Sequence, residues 1–362
     1  MQITTEQVLN ALGQVIEPDL KKDLVSLGMI RDLEIEGHKV RFSVVLTTPA
    51  CPLKESIKNA CIRAVHELVS KDADVEVNLT SKVTSTRKQE ETLLKGVKNI
   101  IAVASGKGGV GKSTVAANLA ITLARSGART GLLDADIYGP SVPLMFQALD
   151  DQLQAVDIEG HTKVLPLKKH GVSILSIGFF VDASRALIWR GPMASGALKQ
   201  LFTDADWGEL DYMIIDLPPG TGDIHLSLVQ TVPLTGAIIV TTPQEVALAD
   251  ARKAVSMFSN DNIHVPVLGV VENMAWFTPA ELPENKYYIF GHDGGKQMAE
   301  AMDLPFLGQI PLIQSVREAG DQGKPEVLHH NSLSRPYFDS LAEKLAQQVS
   351  ISNARKNEIV GV

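Results

Sequence analysis

Residues Gly106 to Thr114 read Gly-Lys-Gly-Gly-Val-Gly-Lys-Ser-Thr and match G-x-x-x-x-G-K-[ST] at every fixed position. Just before them Asn99 to Ala104 is an apolar run rich in β-branched residues. Just after them Val115 to Arg125 carries apolar residues at helical spacing. The loop therefore joins a strand to a helix, the context a triphosphate cradle needs. Gly106, Gly108, Gly109 and Gly111, with Val110 among them, let backbone N–H groups turn inward, and the helix N-terminus adds a partial positive charge. Lys112 is expected to reach the β- and γ-phosphates of ATP, the Ser113 hydroxyl to sit on Mg²⁺, and Thr114 to complete the binding loop.

A second lysine, Lys107, follows the first glycine. With it the loop resembles the deviant Walker A motif, K-G-G-x-G-K-[ST], of the MinD, ParA and nitrogenase-iron-protein class of P-loop ATPases. The resemblance implies that Lys107 reaches across a homodimer interface to the partner's nucleotide. There it would neutralise charge developing on the transferring phosphoryl group, as an arginine finger does.

The 362 residues suffice for two domains, and 44% hydrophobic with 21% charged residues is an ordinary globular composition. A net charge of −8 argues against a surface built for bulk binding of nucleic acid or acidic membranes. No apolar run approaches the ~20 residues that span a bilayer, and Met1 to Leu12 does not read as a signal peptide. The expectation is a cytoplasmic protein with no nucleic-acid or membrane partner. The two cysteines, Cys51 and Cys61, form no disulfide framework and fit a reducing compartment.

Residues 1–80 read as a small α+β unit. Thr4 or Thr5 can cap a helix carrying Val8, Leu9, Leu12, Val15 and Ile16, closed by Pro18. Strands over Val25 to Ile35 and Lys39 to Leu46 turn at Glu36-Gly37-His38, a helix follows from about Pro52 to Val69, and Val75 to Leu79 alternates as a last strand. Pro52 at the first helical position puts Cys51 at the N-cap, where the helix dipole favours a thiolate that could bind metal. Cys61 falls on the buried helix face. Ten helical residues separate the sulfurs by about 15 Å, so one subunit cannot hold a metal with both. Leu46 to Leu53 also resembles the cysteine-bearing loop of small iron–sulfur assembly domains. Residues 81–98 turn polar and read as a linker.

Residues 99–350 alternate apolar strands with helical segments, the pattern of an α/β P-loop domain with a mostly parallel sheet, and 351–362 is expected to fray. The second strand, Arg129 to Leu133, leads into Asp134-Ala135-Asp136-Ile137-Tyr138-Gly139-Pro140-Ser141, with carboxylates facing the ligand crevice. The ATPase-class resemblance makes Asp136 the switch I residue that positions the attacking water and Asp134 a support for the magnesium shell. Val172 to Ile177 is a further strand, and Trp189-Arg190-Gly191-Pro192 leads into a helix, Met193 to Phe202. Tyr212 to Asp216, followed by Leu217-Pro218-Pro219-Gly220-Thr221-Gly222-Asp223, reads as a Walker B strand and switch II, with Asp216 holding Mg²⁺ through water. Strands at Ala237 to Val240 and Val265 to Val271 flank a helix from about Gln244 to Phe258. Glu272-Asn273-Met274 follows the later strand, and resemblance makes Asn273 an adenine contact. The last strand, Phe306 to Ile310, ends at Pro311 near where this class encloses the base.

Taken together, the N-terminal unit, the P-loop, Asp134 to Ser141 and Asp216 to Asp223 resemble the Mrp/ApbC family of iron–sulfur cluster carrier ATPases. The resemblance implies a homodimer that binds a [4Fe–4S] cluster, transfers it to apo iron–sulfur proteins in concert with cluster assembly factors, and hydrolyses ATP slowly. One departure stands out. The family's C-x-x-C falls after the Glu-Asn-Met segment, and here Ala275 to Ile289 contains no cysteine. Asn285, His292 and Asp293 suit hard or borderline metals better than a cluster. Either Cys51 handles the cluster, or this member keeps the ATPase without the cargo site and acts as an ATP-gated adaptor. A MinD/ParA-type positioning ATPase is the further alternative. It predicts a basic amphipathic C-terminus, whereas Ser340 to Val362 mixes Glu, Gln, Asn and Ser with few cations.

Overall fold

The computed structural model describes residues 3–87, 93–158, 160–180, 191–222, 225, 228–229, 231–260, 263–279, 281–282 and 284–360. They form two compact units: the chain up to Ser85 together with the stretch from Ala346 onward, and Thr86–Leu345.

In the first unit helix α1 (Thr5–Leu12) starts at a capping box, in which Thr4 accepts the Gln7 N–H and Gln7 answers the Thr4 N–H. It ends before Val15 and Ile16. Ile16 is an exposed residue of strand β1 (Ile16–Glu17), which pairs with β2 (Lys22–Asp23), so it is not on the helix face where 3.6-residue periodicity puts it. The expected strand from Val25 starts only at Ile30, because Leu24 to Gly28 turn back, with the Leu24 N–H bonded to the Val15 carbonyl. β3 (Ile30–Glu36) and β4 (Lys39–Leu46) are antiparallel about Gly37, whose φ of +64° suits the tight hairpin. β5 (Asp74–Ser81) returns parallel to β4 after helix α2 (Lys54–Leu68). Val8, Leu12, Leu24, Phe42, Val44 and Ile57 make its core, and both cysteines lie in it. The last helix, α9 (Arg335–Val360), continues to Val360 where fraying was expected. Ser350 and Asn353 are buried, and the Asn353 amide donates to the Thr84 carbonyl at 3.1 Å.

The second unit is an eight-stranded sheet. In chain order its strands are β6 (Val97–Ala104), β7 (Thr130–Asp134), β10 (Leu167–Lys169), β11 (Val172–Ser176), β12 (Leu210–Asp216), β13 (Gly236–Thr241), β14 (Val267–Phe277) and β15 (Phe306–Leu312). The spatial order is β10-β11-β7-β12-β6-β13-β14-β15, and only the short β10 runs antiparallel. Its neighbours are covered by α3 (Lys112–Arg125), α4 (Val142–Met145), α5 (Gly191–Thr203), α6 (Glu245–Phe258), α7 (Gly294–Ala301) and α8 (Gln314–Asp321). A separate hairpin, β8 (Gln154–Ile158) with β9 (His161–Leu165), alternates too weakly to be read from sequence. Within the expected linker, Leu94 and Val97 are buried in the core of this unit, and Arg87 donates to the Leu93 and Leu94 carbonyls at 2.6 and 3.0 Å. Residues 88–92 of that stretch, Trp189, Arg190 and Asp223 lie outside the described residues.

Two strands depart from their expected ends in ways that matter for the site. β14 runs on to Phe277, so Glu272, Asn273 and Met274 lie inside it, at a bulge where Met274 has φ +56°. β15 extends past Pro311, which is tolerated because β15 is an edge strand.

At the opposite end of the central strands the Asp211 carboxylate holds three strands together. It accepts from Lys98 Nζ at 2.7 Å and from the Arg129 backbone N–H at 3.0 Å and Nη2 at 3.2 Å. Burial pushes this carboxyl up, but the Arg129 and Lys98 bonds outweigh it and leave it at about 2, below the ordinary 3.8. The resulting stabilisation is fully present above pH 3.8 and is lost as pH falls through about 2. Asp211→Asn is therefore expected to cost about 1–2 kcal/mol at pH 7, discounted for its half-exposed partners. In urea titrations the gap to the parent should narrow between pH 4 and pH 2, and a gap that stays constant would disconnect the carboxylate from stability.

Candidate nucleotide site

The glycine-rich loop leaves the C-terminal end of β6, the middle of the sheet, and enters α3 at Lys112. Its shape is forced by glycine at two places. Gly111, the N-cap of α3, has φ +79°, and a side chain there would strike the Asn273 amide. Gly106 presses against the α6 backbone, where a Cβ would overlap the Asp250 carbonyl. Gly108 and Gly109 are exposed, Val110 is buried beneath them, and Ser113 and Thr114 open the helix.

Strand register assembles the rest. β12 lies between β6 and β7, and Asp216 is level with Asp134 across the parallel ladder, both at strand ends. Lys112, only 6% exposed, points into this group. Its Nζ pairs with Asp216 Oδ1, stands 3.5 Å from Asp136 Oδ2 and donates to Ser113 Oγ at 3.3 Å. Thus the sequence-predicted Lys112, Ser113, Asp134, Asp136 and Asp216 meet in one place. Burial, then the neighbouring Asp216 charge, pushes the Asp134 carboxyl up to about 7. Burial also pushes Asp216 up, with Lys112 opposing. One ammonium thus stands among three carboxyl groups in a desolvated pocket. Asp216 Oδ2 is the atom there open to a divalent cation: it is buried and has no hydrogen-bond partner among the described residues.

Lys107 is half-buried at the loop surface, and its ammonium has no hydrogen bond or ion pair among the described residues. Asn273 donates its amide to the Val110 carbonyl at 2.8 Å, bracing the loop from β14. It also lines a cleft of about 280 Å³ whose walls include Gly111, Met145, Met274, Pro311 and Val316. The turn after Asp216 is held by the Leu217 N–H donating to the Val103 carbonyl and the Gly220 N–H donating to the Ser105 carbonyl. Buried His225 bonds through Nε2 to the Pro218 carbonyl.

Cys51 does not occupy the helix cap expected for it. Pro52 and Leu53 form a turn, α2 begins at Lys54 with Leu53 as N-cap, and the Cys51 thiol is 7% exposed within the small unit's core. Cys61 is fully buried, as its helix face predicts, and burial pushes its thiol up to about 12. Two functional candidates escaped sequence reading. Ser176, at the end of β11, bonds to Asp134, and Glu272 caps the start of α7 through the Gly295 N–H. A polar residue at the last position of an apolar parallel strand was the available signal for Ser176.

Fold and loop together define a P-loop NTPase with a second lysine in its phosphate loop. A family model described as NUBPL iron-transfer P-loop NTPase matches residues 96–349, and one described as iron–sulfur cluster assembly protein matches residues 5–79. The chain belongs to this family of iron-transfer P-loop NTPases with an N-terminal assembly domain. The iron–sulfur cluster carrier protein of Synechocystis sp. is 45% identical over 352 residues, covering 97% of this chain and 99% of that protein. The protein of the same name from Deinococcus radiodurans is 47% identical over 347 residues, 96% of each. Among solved structures, a nucleotide-binding protein from Archaeoglobus fulgidus in complex with ADP is 36% identical with a TM-score of 0.56, covering 64% of this chain and 88% of that one.

Gly106→Ala is expected to cost about 2 kcal/mol or more, because the α6 backbone cannot yield as a side chain would. Thermal unfolding with and without ADP checks this; a variant as stable as the parent that still binds ADP would mean the loop sits elsewhere.

Proposed function

We propose that the chain is an ATP-hydrolysing iron–sulfur cluster carrier that works as a homodimer and delivers clusters to apoproteins. The observation that carries this reading is the convergence of Lys112, Asp136 and Asp216 at the phosphate loop of a chain similar over nearly its whole length to cluster carriers.

In this reading the loop N–H groups and Lys112 bind the β- and γ-phosphates, and Asn273 with the adjoining cleft takes the adenine. Ser113 and Asp216 are the residues that would hold Mg²⁺, Asp216 through Oδ2. Bound there, the ion neutralises charge on the β- and γ-phosphate oxygens. Asp136, poised beside Lys112, orients the attacking water. Lys107, with no partner in its own chain among the described residues, serves the nucleotide of the second subunit. Lys112→Ala should abolish ADP binding in calorimetry, and retained affinity would contradict the phosphate assignment. Lys107→Ala should still bind ATP but turn it over at least about tenfold more slowly; unchanged turnover would remove its role in trans.

The cluster is cargo in this scheme. Cys51 is the thiol we assign to it, since it sits in the turn-rich segment before α2, where exposing a sulfur requires moving one turn rather than a helix. The partner subunit or an assembly factor completes the ligands. We assign the work to the cytosol, where the two cysteines, neither of them in a disulfide, would stay reduced. Among the described residues no helix is long and apolar enough to cross a membrane.

A second reading, an ATP-gated adaptor without a cluster, is favoured by the burial of Cys51 within the core of the small unit. Anaerobic reconstitution with iron and sulfide separates the two. The carrier reading expects sulfur-to-iron charge-transfer absorption that Cys51→Ala removes. A protein that stays colourless yet captures apoproteins in a nucleotide-dependent way would establish the adaptor.

A further inference from the structure

Asp134 is fully buried beside Asp216, yet both its carboxylate oxygens are taken by the protein. Oδ1 accepts the Asp136 N–H at 3.1 Å, and Oδ2 accepts the Val142 N–H at 3.1 Å and the Ser176 hydroxyl at 2.9 Å. Ser176 Oγ donates this bond and at the same time accepts the Gly178 N–H at 2.9 Å.

These bonds have a common geometric effect. The Asp136 and Val142 bonds fold residues 134–142 back onto their own first residue, like a loop drawn to a peg. Ser176 fixes the peg to the next strand, since it lies level with Asp134 in the parallel ladder. A second contact backs the loop at the same point: the turn after Ser176 packs so tightly on Pro140 that a Cβ on Gly178 would stand 3.0 Å from the proline ring. The residue this arrangement aims is Asp136, whose Oδ1 accepts the Tyr138 N–H at 3.2 Å and whose Oδ2 stands 3.5 Å from Lys112.

We propose that Ser176 is a positioning residue of the ATPase site, fixing the switch I segment through Asp134 and so setting the Asp136 carboxylate beside Lys112. This rests on the reading of Asp136 as the group that orients water. It also gives Asp134 a task distinct from supporting the ion. A charge-assisted bond to a buried carboxylate is among the stronger ones, and its loss leaves Oδ2 of the fully buried Asp134 with the Val142 N–H alone. A small displacement of a catalytic carboxylate is enough to slow a reaction by one or two orders of magnitude.

The test uses the full chain with Ser176→Ala and the near-isosteric Ser176→Cys, which keeps a weak donor and covers the case in which the alanine variant fails to fold. In Ser176→Ala, amide hydrogen exchange of a peptide spanning residues 134–145 should quicken about fivefold or more. The ATPase kcat should fall about tenfold, with KM for ATP, affinity for ADP and the Mg²⁺ concentration for half-maximal rate each within about twofold of the parent. Ser176→Cys should lie between the two. Unchanged exchange over residues 134–145 would overturn the anchor. So would a variant whose main defect is a raised Mg²⁺ requirement, since that would make Asp134 an ion support. If the unmodified chain binds ADP but hydrolyses no ATP, the enzymatic reading fails by itself, while the exchange measurement still decides whether Ser176 holds the segment.

Discussion

Two parallel strands that end on aspartates at the same level, inside a dry core, set the terms for everything around the phosphate loop. Asp134 and Asp216 are side by side because β7 and β12 are neighbours in register, and neither is exposed. Such a pair is tolerable only if each charge is answered. Lys112 answers Asp216 from the first turn of α3, and a hydroxyl with two backbone N–H groups answers Asp134. The loop between β6 and α3 must then be short and glycine-rich enough to bring that lysine in. The phosphate cradle and the carboxylate pair are thus one construction.

The two units divide the chemistry between them. The larger has all the charge of the nucleotide site and no cysteine; the smaller holds both thiols in an apolar core. In the larger unit the stretch after β14 presents Leu282, Tyr287, Tyr288 and Ile289 to solvent. Any binding of iron through cysteine by this chain therefore falls to the small unit or to another molecule.

Much of this was legible in the residues, and the failures have physical causes. The P-loop, its strand and its helix could be read because glycine spacing, β-branched runs and 3.6-residue periodicity all agree there, and the carboxylates at the ends of β7 and β12 followed from the crevice rule for parallel sheets. What periodicity could not supply was tertiary compensation. Ile16 keeps helical spacing but is paired in a strand, Leu94 and Val97 sit in polar sequence yet complete a core, and β14 runs through a bulge because β15 continues beside it. The cap assigned to Cys51 failed by two residues, since proline favours a turn as readily as the first position of a helix. Hydrogen bonds between distant elements, such as Ser176 to Asp134 and Asn273 to Val110, leave no local trace at all.

The borders of the large sheet also limit how one copy can meet another. One border is the three-residue antiparallel β10, too brief to template a neighbour. The other is β15, where Pro311 removes a donor from the row a newcomer would need. Growth of the sheet by strand addition is blocked at both ends, which guards against runaway fibre-like stacking.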